Sequence, residues 1–192
     1  MKNLKAFTLA EVLITLGVIG VVAAMTLPTL IKEYQKHVWV NQLKKSYSTI
    51  SQTFQKILAD EGTDDLRNIS NLDDEYFSKY LNGSSGKRKN NVNYLNLDYG
   101  DEIKGEPIIN LNDGTQLQVD FYDPVGNDCG HIYIDINGES KPNMIGRDYY
   151  SAQLLCNGSL KINNNITKEQ CVNSPGDRCF DYLVSNGWKM DY

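Results

Sequence analysis

The sequence predicts an α+β protein in which one long N-terminal helix packs on a small antiparallel β-sheet, with a disulfide-bearing C-terminal region. Three observations support this prediction. The first 31 residues hold nearly all of the continuous apolar sequence, and a polar segment with a helical apolar stripe follows. From Pro107 onwards apolar and polar residues alternate, which is typical of strands with one buried face.

The N-terminal segment 7–31 is long enough to cross a membrane as a helix. Its residues are apolar or small apart from one charged side chain, that of Glu11. About 20 such residues span a bilayer. Lys2 and Lys5 precede the segment. Because basic residues beside a membrane helix favour the cytoplasmic side, we expect the rest of the chain to lie outside the cytoplasm.

Three interpretations of this segment compete. It is a secretory signal peptide cut after Ala24, an anchor that is never cut, or a leader cut between Ala6 and Phe7 on the cytoplasmic side. Glu11 favours the third, because a carboxylate inside an apolar membrane helix costs about 2.5–3.5 kcal/mol and is therefore expected to have a function. Cleavage before Phe7 frees an amino group, and the ammonium of one copy can then neutralise Glu11 of the next.

The N-terminal residues resemble the prepilin cleavage and methylation motif of type IV pilins and type II secretion pseudopilins, in the run Lys5-Ala6-Phe7-Thr8-Leu9-Ala10-Glu11. The resemblance implies that a prepilin peptidase cuts between Ala6 and Phe7 and N-methylates Phe7. It also implies that Glu11 is the glutamate that directs assembly. Ala6 departs from the pattern, because the family usually has glycine there.

The resemblance implies a domain organisation and a structural, non-enzymatic function. We expect a leader (1–6), a transmembrane and filament-core helix (7–31), its amphipathic continuation (32–61) and a globular pilin-like head (62–192). The subunit would reside in the inner membrane as a single-pass protein with its head outside the cytoplasm. It would then enter a cell-surface or periplasmic filament. The implied partners are other copies and other pilin-like subunits, prepilin peptidase, the inner-membrane assembly platform and the membrane.

An apolar stripe predicts that the N-terminal helix continues to Glu61. Its members recur at spacings of four and three residues: Leu43, Tyr47, Ile50, Phe54 and Ile57. Gly62 ends the pattern. Pro28 lacks an amide hydrogen and clashes with the preceding turn, so we expect it to kink or locally melt the helix near the membrane exit.

The remaining sequence predicts one short helix and three or four strands. Residues 73–81 are interpreted as the helix, and 82–89 as an exposed loop with a solvated basic tip. The turn signal Asp113-Gly114 separates two alternating apolar runs, and the hairpin signal Asn137-Gly138 ends another. The apolar face of this sheet is the natural partner of the stripe on the helix.

The cysteines indicate two disulfides formed in an oxidising compartment. All four lie in the C-terminal part of the chain: Cys129, Cys156, Cys171 and Cys179. They lack the paired spacing of zinc ligands. Three pairings are possible, and the sequence leaves them open. In one of them Cys171–Cys179 closes a short loop, and Cys129–Cys156 spans the preceding segment.

One loop is a candidate calcium site, although we otherwise expect no cofactor. Asp135, Asn137 and Asp148 place two carboxylates and an amide within a short region that resembles the loops of pilin-like heads, and some secretion pseudopilins hold calcium there. Calcium favours such oxygen ligands. The alternative is ordinary turn chemistry, in which Asn-Gly forms a turn and Asp caps it.

The sequence argues against two classes of function and leaves one rival. A net charge of -5 disfavours a nucleic-acid partner, because phosphate contacts need a basic surface. Neither His37 nor His131 lies in a recognisable catalytic motif, so we expect no enzyme. The rival is a signal-anchored or secreted binding protein that recognises carbohydrate through exposed tyrosines: Tyr94, Tyr99, Tyr149 and Tyr150.

Overall fold

The computed structural model describes residues 8–81, 83–90, 92–94, 100–101, 107–174, 176 and 178–192. The chain divides into two compact units after Val38. We call the described residues up to Val38 the N-terminal unit and Trp39–Tyr192 the C-terminal unit. The predicted α+β class is confirmed, with a long N-terminal apolar helix and a mostly antiparallel sheet.

Helix α1 runs without interruption from Leu9 to Glu61. Gly62 follows with a φ of +66°, a conformation that glycine adopts without strain, so the predicted end of the helix is confirmed. Pro28 lies inside the helix, and helical structure continues on both sides of it. Of the two alternatives expected at Pro28, local melting does not occur, and a kink stays a prediction.

The predicted stripe on α1 forms one side of the core of the C-terminal unit. Leu43, Ile50, Phe54 and Ile57 are fully buried, and Tyr47 is half-buried against it. The ring of Phe54 stacks on Phe77 with centroids 4.7 Å apart. On the sheet side the core is formed by alternating residues of the central strands, among them Leu117, Val119, Ile132 and Ile134.

The sheet has eight strands in the order β1-β4-β5-β6-β8-β7-β2-β3, more than the three or four predicted. The strands are β1 (Gly83–Lys87), β2 (Val92–Tyr94), β3 (Gly100–Asp101), β4 (Pro107–Leu111), β5 (Gln116–Val125), β6 (Asp128–Asp135), β7 (Met144–Ile145) and β8 (Tyr149–Leu155). Neighbouring strands are antiparallel except that β7 runs parallel to β2 and β8. The extra strands are short or lie towards the edges of the sheet, where apolar alternation is weak.

Short helices complete the chain. They are a 3₁₀ turn (Leu66–Asn68), α2 (Asp74–Ser78), α3 (Lys168–Asn173) and α4 (Arg178–Ser185). The predicted helix near residue 73 is confirmed as α2, and the Asp73 side chain accepts a hydrogen bond from the Tyr76 amide at its start (2.7 Å).

Two local predictions were wrong. Residues 83–87 are mostly exposed as predicted, but they form strand β1 rather than a loop. They pair with β4 from Gly83 opposite Leu111 to Lys87 opposite Pro107. Asn137-Gly138 does not close a two-residue hairpin either. The strand after this turn that pairs with β6 is β8, and the connection between them contains β7. The signal at Asp113-Gly114, in contrast, does mark the β4–β5 turn.

Both disulfides are present, and they resolve the pairing that the sequence left open. Cys129 on β6 is bonded to Cys156, which follows β8, and Cys171 on α3 is bonded to Cys179 on α4. All four cysteines are buried. The first bond ties two neighbouring strands at one end, and the second ties the two C-terminal helices together.

Candidate assembly segment and the loop after β6

Glu11 lies in the first turn of α1 and forms a reciprocal cap with Thr8. Its carboxylate oxygen Oε2 accepts hydrogen bonds from the Thr8 amide (2.9 Å) and the Thr8 hydroxyl (2.8 Å). The Glu11 amide donates to the Thr8 hydroxyl oxygen (3.2 Å). This is a capping box, which provides partners for backbone donors that a helix start leaves free. Sequence reasoning missed the role of Thr8, although the Thr-x-x-Glu spacing signalled it.

The N-terminal unit presents its apolar side chains to its surroundings. The large exposed ones are Leu9, Val12, Leu13, Ile14, Leu16, Val18, Ile19, Val21, Val22, Met25, Leu27, Leu30, Ile31 and Tyr34. Within the described residues α1 is the helix that is long and apolar enough to cross a membrane. An apolar surface of this extent requires lipid or other protein as its environment.

The loop after β6 brings the three predicted calcium ligands together. The Asn137 amide donates to Asp135 Oδ1 (3.4 Å), and the Ile136 amide donates to the carbonyl of Asp148 (2.9 Å). Asp135 and Asp148 are both fully buried, and Asn137 is half-buried. The backbone of the loop thus places both carboxylates inside the protein.

Each of these carboxylates already has protein partners. Asp148 accepts hydrogen bonds from the amides of Asn143 (2.8 Å) and Met144 (2.7 Å), one on each oxygen. Asp135 Oδ2 lies 2.8 Å from Nη1 of Arg88, and both side chains are inaccessible to solvent. Arg88 is the residue that sequence reasoning missed. Its basic triplet was expected at a solvated tip, but Arg88 itself is buried.

Burial dominates the electrostatics of the pair of carboxyls. Together with a smaller contribution from the nearby Asp148, it raises the pKa of Asp135 to about 7, against the lowering effect of the Arg88 guanidinium. Burial likewise raises the pKa of Asp148, although the amides of Met144 and Asn143 act in the opposite direction. Desolvation of these groups is therefore only partly compensated by their partners.

The donor set around Asp135 fits a calcium ion poorly. Calcium takes six to eight oxygen ligands, whereas both oxygens of Asp148 and one of Asp135 bind protein donors, and the other faces a guanidinium. No group of three or more His, Cys, Asp or Glu side chains that could hold a metal occurs in the described part of the chain. Calcium at Asp135, Asn137 and Asp148 stays a prediction.

Two of the four tyrosines that the rival function requires are buried. Tyr149 and Tyr150 are 3% and 0% exposed, so the expectation of exposed rings was wrong for both. The side chain of Tyr94 and the whole of Tyr99 lie outside the described residues. A sugar-binding surface cannot use the rings of Tyr149 and Tyr150 in this conformation.

The comparison with known proteins bears on the segment around Glu11. A family model of the prokaryotic N-terminal methylation motif matches residues 1–27. The chain carries the N-terminal motif of type IV pilins and pseudopilins. No match to the chain was found among curated proteins or among solved structures.

The pilin-type motif supports processing by prepilin peptidase and a structural rather than an enzymatic function. Together with the apolar part of α1, it fits a membrane-anchored pilin. Ala6 and Phe7, between which the motif predicts cleavage, lie outside the described residues, so cleavage there and methylation of Phe7 stay predictions.

Proposed function

We propose that this chain is a structural subunit of a type IV pilus-like filament or of a type II secretion pseudopilus. The observation that supports it most strongly is Glu11, a lone carboxylate in the apolar part of α1 within the matched motif. A carboxylate within a segment apolar enough to span a membrane is expected to be functional. A neighbouring subunit with a free N-terminal ammonium is a partner that neutralises it.

Assembly in this proposal begins with removal of residues 1–6 and methylation of the new N-terminal amino group on Phe7. The ammonium of one subunit then pairs with Glu11 of the adjacent subunit. Unpaired charges are expensive in an apolar environment, so the pair favours one axial register over others. The hydrogen bonds from Thr8 support this step, because they keep the carboxylate at the end of α1 where the new N-terminus forms.

The apolar surface of the N-terminal unit has two successive environments in this proposal. It lies in the lipid bilayer before assembly and is packed against the helices of other subunits afterwards. The assembly platform of the inner membrane moves it from one to the other. Gly17 and Gly20 support close packing, because residues without a side chain let the backbone of another helix approach.

The mass and N-terminal sequence of the mature protein test the processing step. N-methylated Phe7 at the N-terminus is the expected result. A start at Met25 would support ordinary secretion of a binding protein, and an intact Met1 would support a simple anchor. Either of the latter results contradicts the proposal, since Glu11 then has no N-terminal ammonium to pair with. Neighbouring genes would distinguish a pilus from a secretion system.

The variant Glu11→Val tests the assembly step. We expect it to insert into the membrane normally, because the substitution makes the helix more apolar. Its yield of sheared filaments should fall by at least about tenfold, because an ammonium is left unpaired in the core. Thr26→Val is the matched control, since it also removes a polar group from α1 but outside the first turn. Normal filaments from Glu11→Val would contradict the proposed pairing.

A further inference from the structure

Arg88 is a buried cation at the end of strand β1. Only 3% of the residue is exposed. Its guanidinium carbon lies 5.0 Å from the centroid of the Tyr149 ring, and Nη1 lies 2.8 Å from Asp135 Oδ2. A cation removed from water needs an anion and a polarisable surface in compensation. Asp135 and Tyr149 supply these two interactions, and they do so from adjacent strands.

The loop after β6, which follows the Asp135 partner of this cation, contains buried oxygen atoms that lack hydrogen-bond donors. Three buried side-chain oxygens of this loop have no hydrogen-bond partner: Oδ1 of Asn137, Oε2 of Glu139 and Oδ1 of Asn143. Unsatisfied buried acceptors are rare in native proteins, and each one is unfavourable by itself. Their concentration in one loop makes a positive charge at this place favourable.

The backbone fixes Arg88 beside this loop from both sides. Lys87 pairs with Pro107 at the end of β1, and the amide of Lys89 donates to Glu139 Oε1 (2.8 Å). Arg88 therefore lies between a strand pairing and a direct contact with the loop. Its position follows from the fold and does not depend on a flexible side chain reaching across the surface.

We propose that Arg88 is the resident cation of the loop after β6, taking the place that a divalent metal ion would otherwise occupy beside Asp135. A second, doubly charged ion beside a buried guanidinium would be strongly repelled, because the interior screens charge weakly. The C-terminal unit is therefore independent of calcium. In the extracytoplasmic location of the proposed function, a covalently held cation keeps the subunit folded when calcium is scarce.

Thermal unfolding of the full chain in detergent micelles tests this assignment, with the chelator EDTA or with millimolar calcium. We expect the Tm of the unmodified protein to be the same in both. Arg88→Gln should lower the Tm in EDTA by about 10 °C, because Asp135 loses its counter-ion. Calcium should recover much of that loss, and calorimetric titration should show calcium binding to this variant alone. Arg178→Gln, which removes an exposed arginine on α4, is the matched control and should change neither quantity.

Two results would overturn the proposal: calcium stabilisation of the unmodified protein, or an Arg88→Gln variant as stable in EDTA as the Arg178→Gln control. If Arg88→Gln does not fold, the double variant Arg88→Gln/Asp135→Asn tests the pairing instead. Removing both charges should restore folding without any response to calcium, and a double variant no better than the single one would refute the pairing. These readouts do not involve filaments, so their failure is distinct from failure of the proposed function.

Discussion

At the scale of single residues, the first turn of α1 shows that Glu11 has a partner within its own chain. Thr8 donates two hydrogen bonds to the carboxylate, and the Glu11 amide donates one back to the Thr8 hydroxyl oxygen. Such a cap stabilises the helix start and lowers the free energy of placing the acid in an apolar segment. The proposed pairing with a neighbouring subunit therefore adds to existing hydrogen bonds and does not start from an unsatisfied carboxylate.

The Thr8 hydroxyl should control the opening of this first turn. In Thr8→Val the Glu11 amide loses its acceptor, and a cap is worth about 1 kcal/mol, so we expect its hydrogen exchange to be about fivefold faster. The measurement is amide exchange by NMR on the chain in micelles. Thr8→Ser retains the hydroxyl and should exchange as the unmodified protein does. Equal exchange in the valine and serine variants would show that the capping box does not form.

A second residue-scale contact ties α1 to the β4–β5 turn. Nζ of Lys45 lies 2.6 Å from Oδ2 of Asp113, and the Thr115 amide donates to Oδ1 (3.1 Å). Burial acts to raise the pKa of the Asp113 carboxyl, but the hydrogen bonds from Lys45 and Thr115 outweigh it and hold the pKa below its usual value of 3.8. Both side chains are partly exposed, so the ion pair contributes little to the stability of the fold.

The Lys45–Asp113 pair should stabilise the protein at neutral pH and lose its effect in acid. Because the folded-state pKa of Asp113 is lowered, the stabilisation is present above about pH 4 and is lost as the pH falls through that lowered value. Lys45→Gln should reduce the free energy of unfolding by about 0.2–1 kcal/mol at pH 7. Thermal unfolding at neutral and acid pH, with the adjacent Lys44→Gln as control, checks this. A deficit in Lys45→Gln that persists unchanged in acid would contradict the assignment.

At the scale of elements, the sequence predicts those helices and strands whose apolar residues recur at a helical or strand spacing. The stripe from Leu43 to Ile57 recurs at helical spacing, and a helix with one apolar face has few other ways to bury it. Strand β1 has the sequence Gly-Ser-Ser-Gly-Lys, which holds no apolar alternation, and it exists because β4 offers an edge to pair with.

The buried ion pair of Arg88 and Asp135 could not be predicted either, because it too depends on strand pairing and not on local sequence. Arg88 and Asp135 are 47 positions apart in the sequence, and the successive pairing of β1, β4, β5 and β6 in the sheet brings Nη1 and Oδ2 to 2.8 Å. A basic triplet beside a glycine-rich run indicates an exposed tip on local grounds. Tertiary context overrides that indication, because Asp135 supplies the counter-ion. The sequence identified the loop that contains Asp135, but it did not identify Arg88 as the partner of Asp135.

The two disulfides should stabilise the fold unequally, because they close loops of different length. The cysteines of one pair are separated by 27 positions, and those of the other by 8. On the chain-entropy model the longer loop contributes about 3.6 kcal/mol and the shorter about 2.6 kcal/mol. We therefore expect the Cys129→Ala/Cys156→Ala variant to unfold at a lower temperature than the Cys171→Ala/Cys179→Ala variant.

Thermal unfolding of the two double variants measures this difference. Each pair is buried, so substitution by alanine removes similar packing at both sites and each variant serves as the control of the other. The reversed order would mean that local packing of α3 against α4 outweighs loop closure. Equal values would mean that the unfolded chain is already constrained near Cys129.

At the scale of the whole molecule, the chain combines two units suited to different surroundings. The N-terminal unit exposes large apolar side chains along α1, whereas the C-terminal unit has a closed core of helix, sheet and two disulfides. A bilayer or a helical bundle can solvate the first unit, and water can solvate the second. Helix α1 belongs to both units, so one element links the proposed membrane anchor to the folded head.

The C-terminal unit should therefore fold in water without the N-terminal unit. We expect a fragment of residues 39–192 to be monomeric by size-exclusion chromatography and to unfold cooperatively, because its core residues all lie within it. A shorter fragment of residues 48–192 is the matched comparison, since it lacks Val40 and Leu43, which are 6% and 0% exposed. Loss of buried aliphatic side chains of this kind costs about 2–5 kcal/mol each, so the shorter fragment should unfold at a clearly lower temperature. Aggregation of the longer fragment, or equal stability of the two, would show that the first turns of α1 after Val38 do not complete the core.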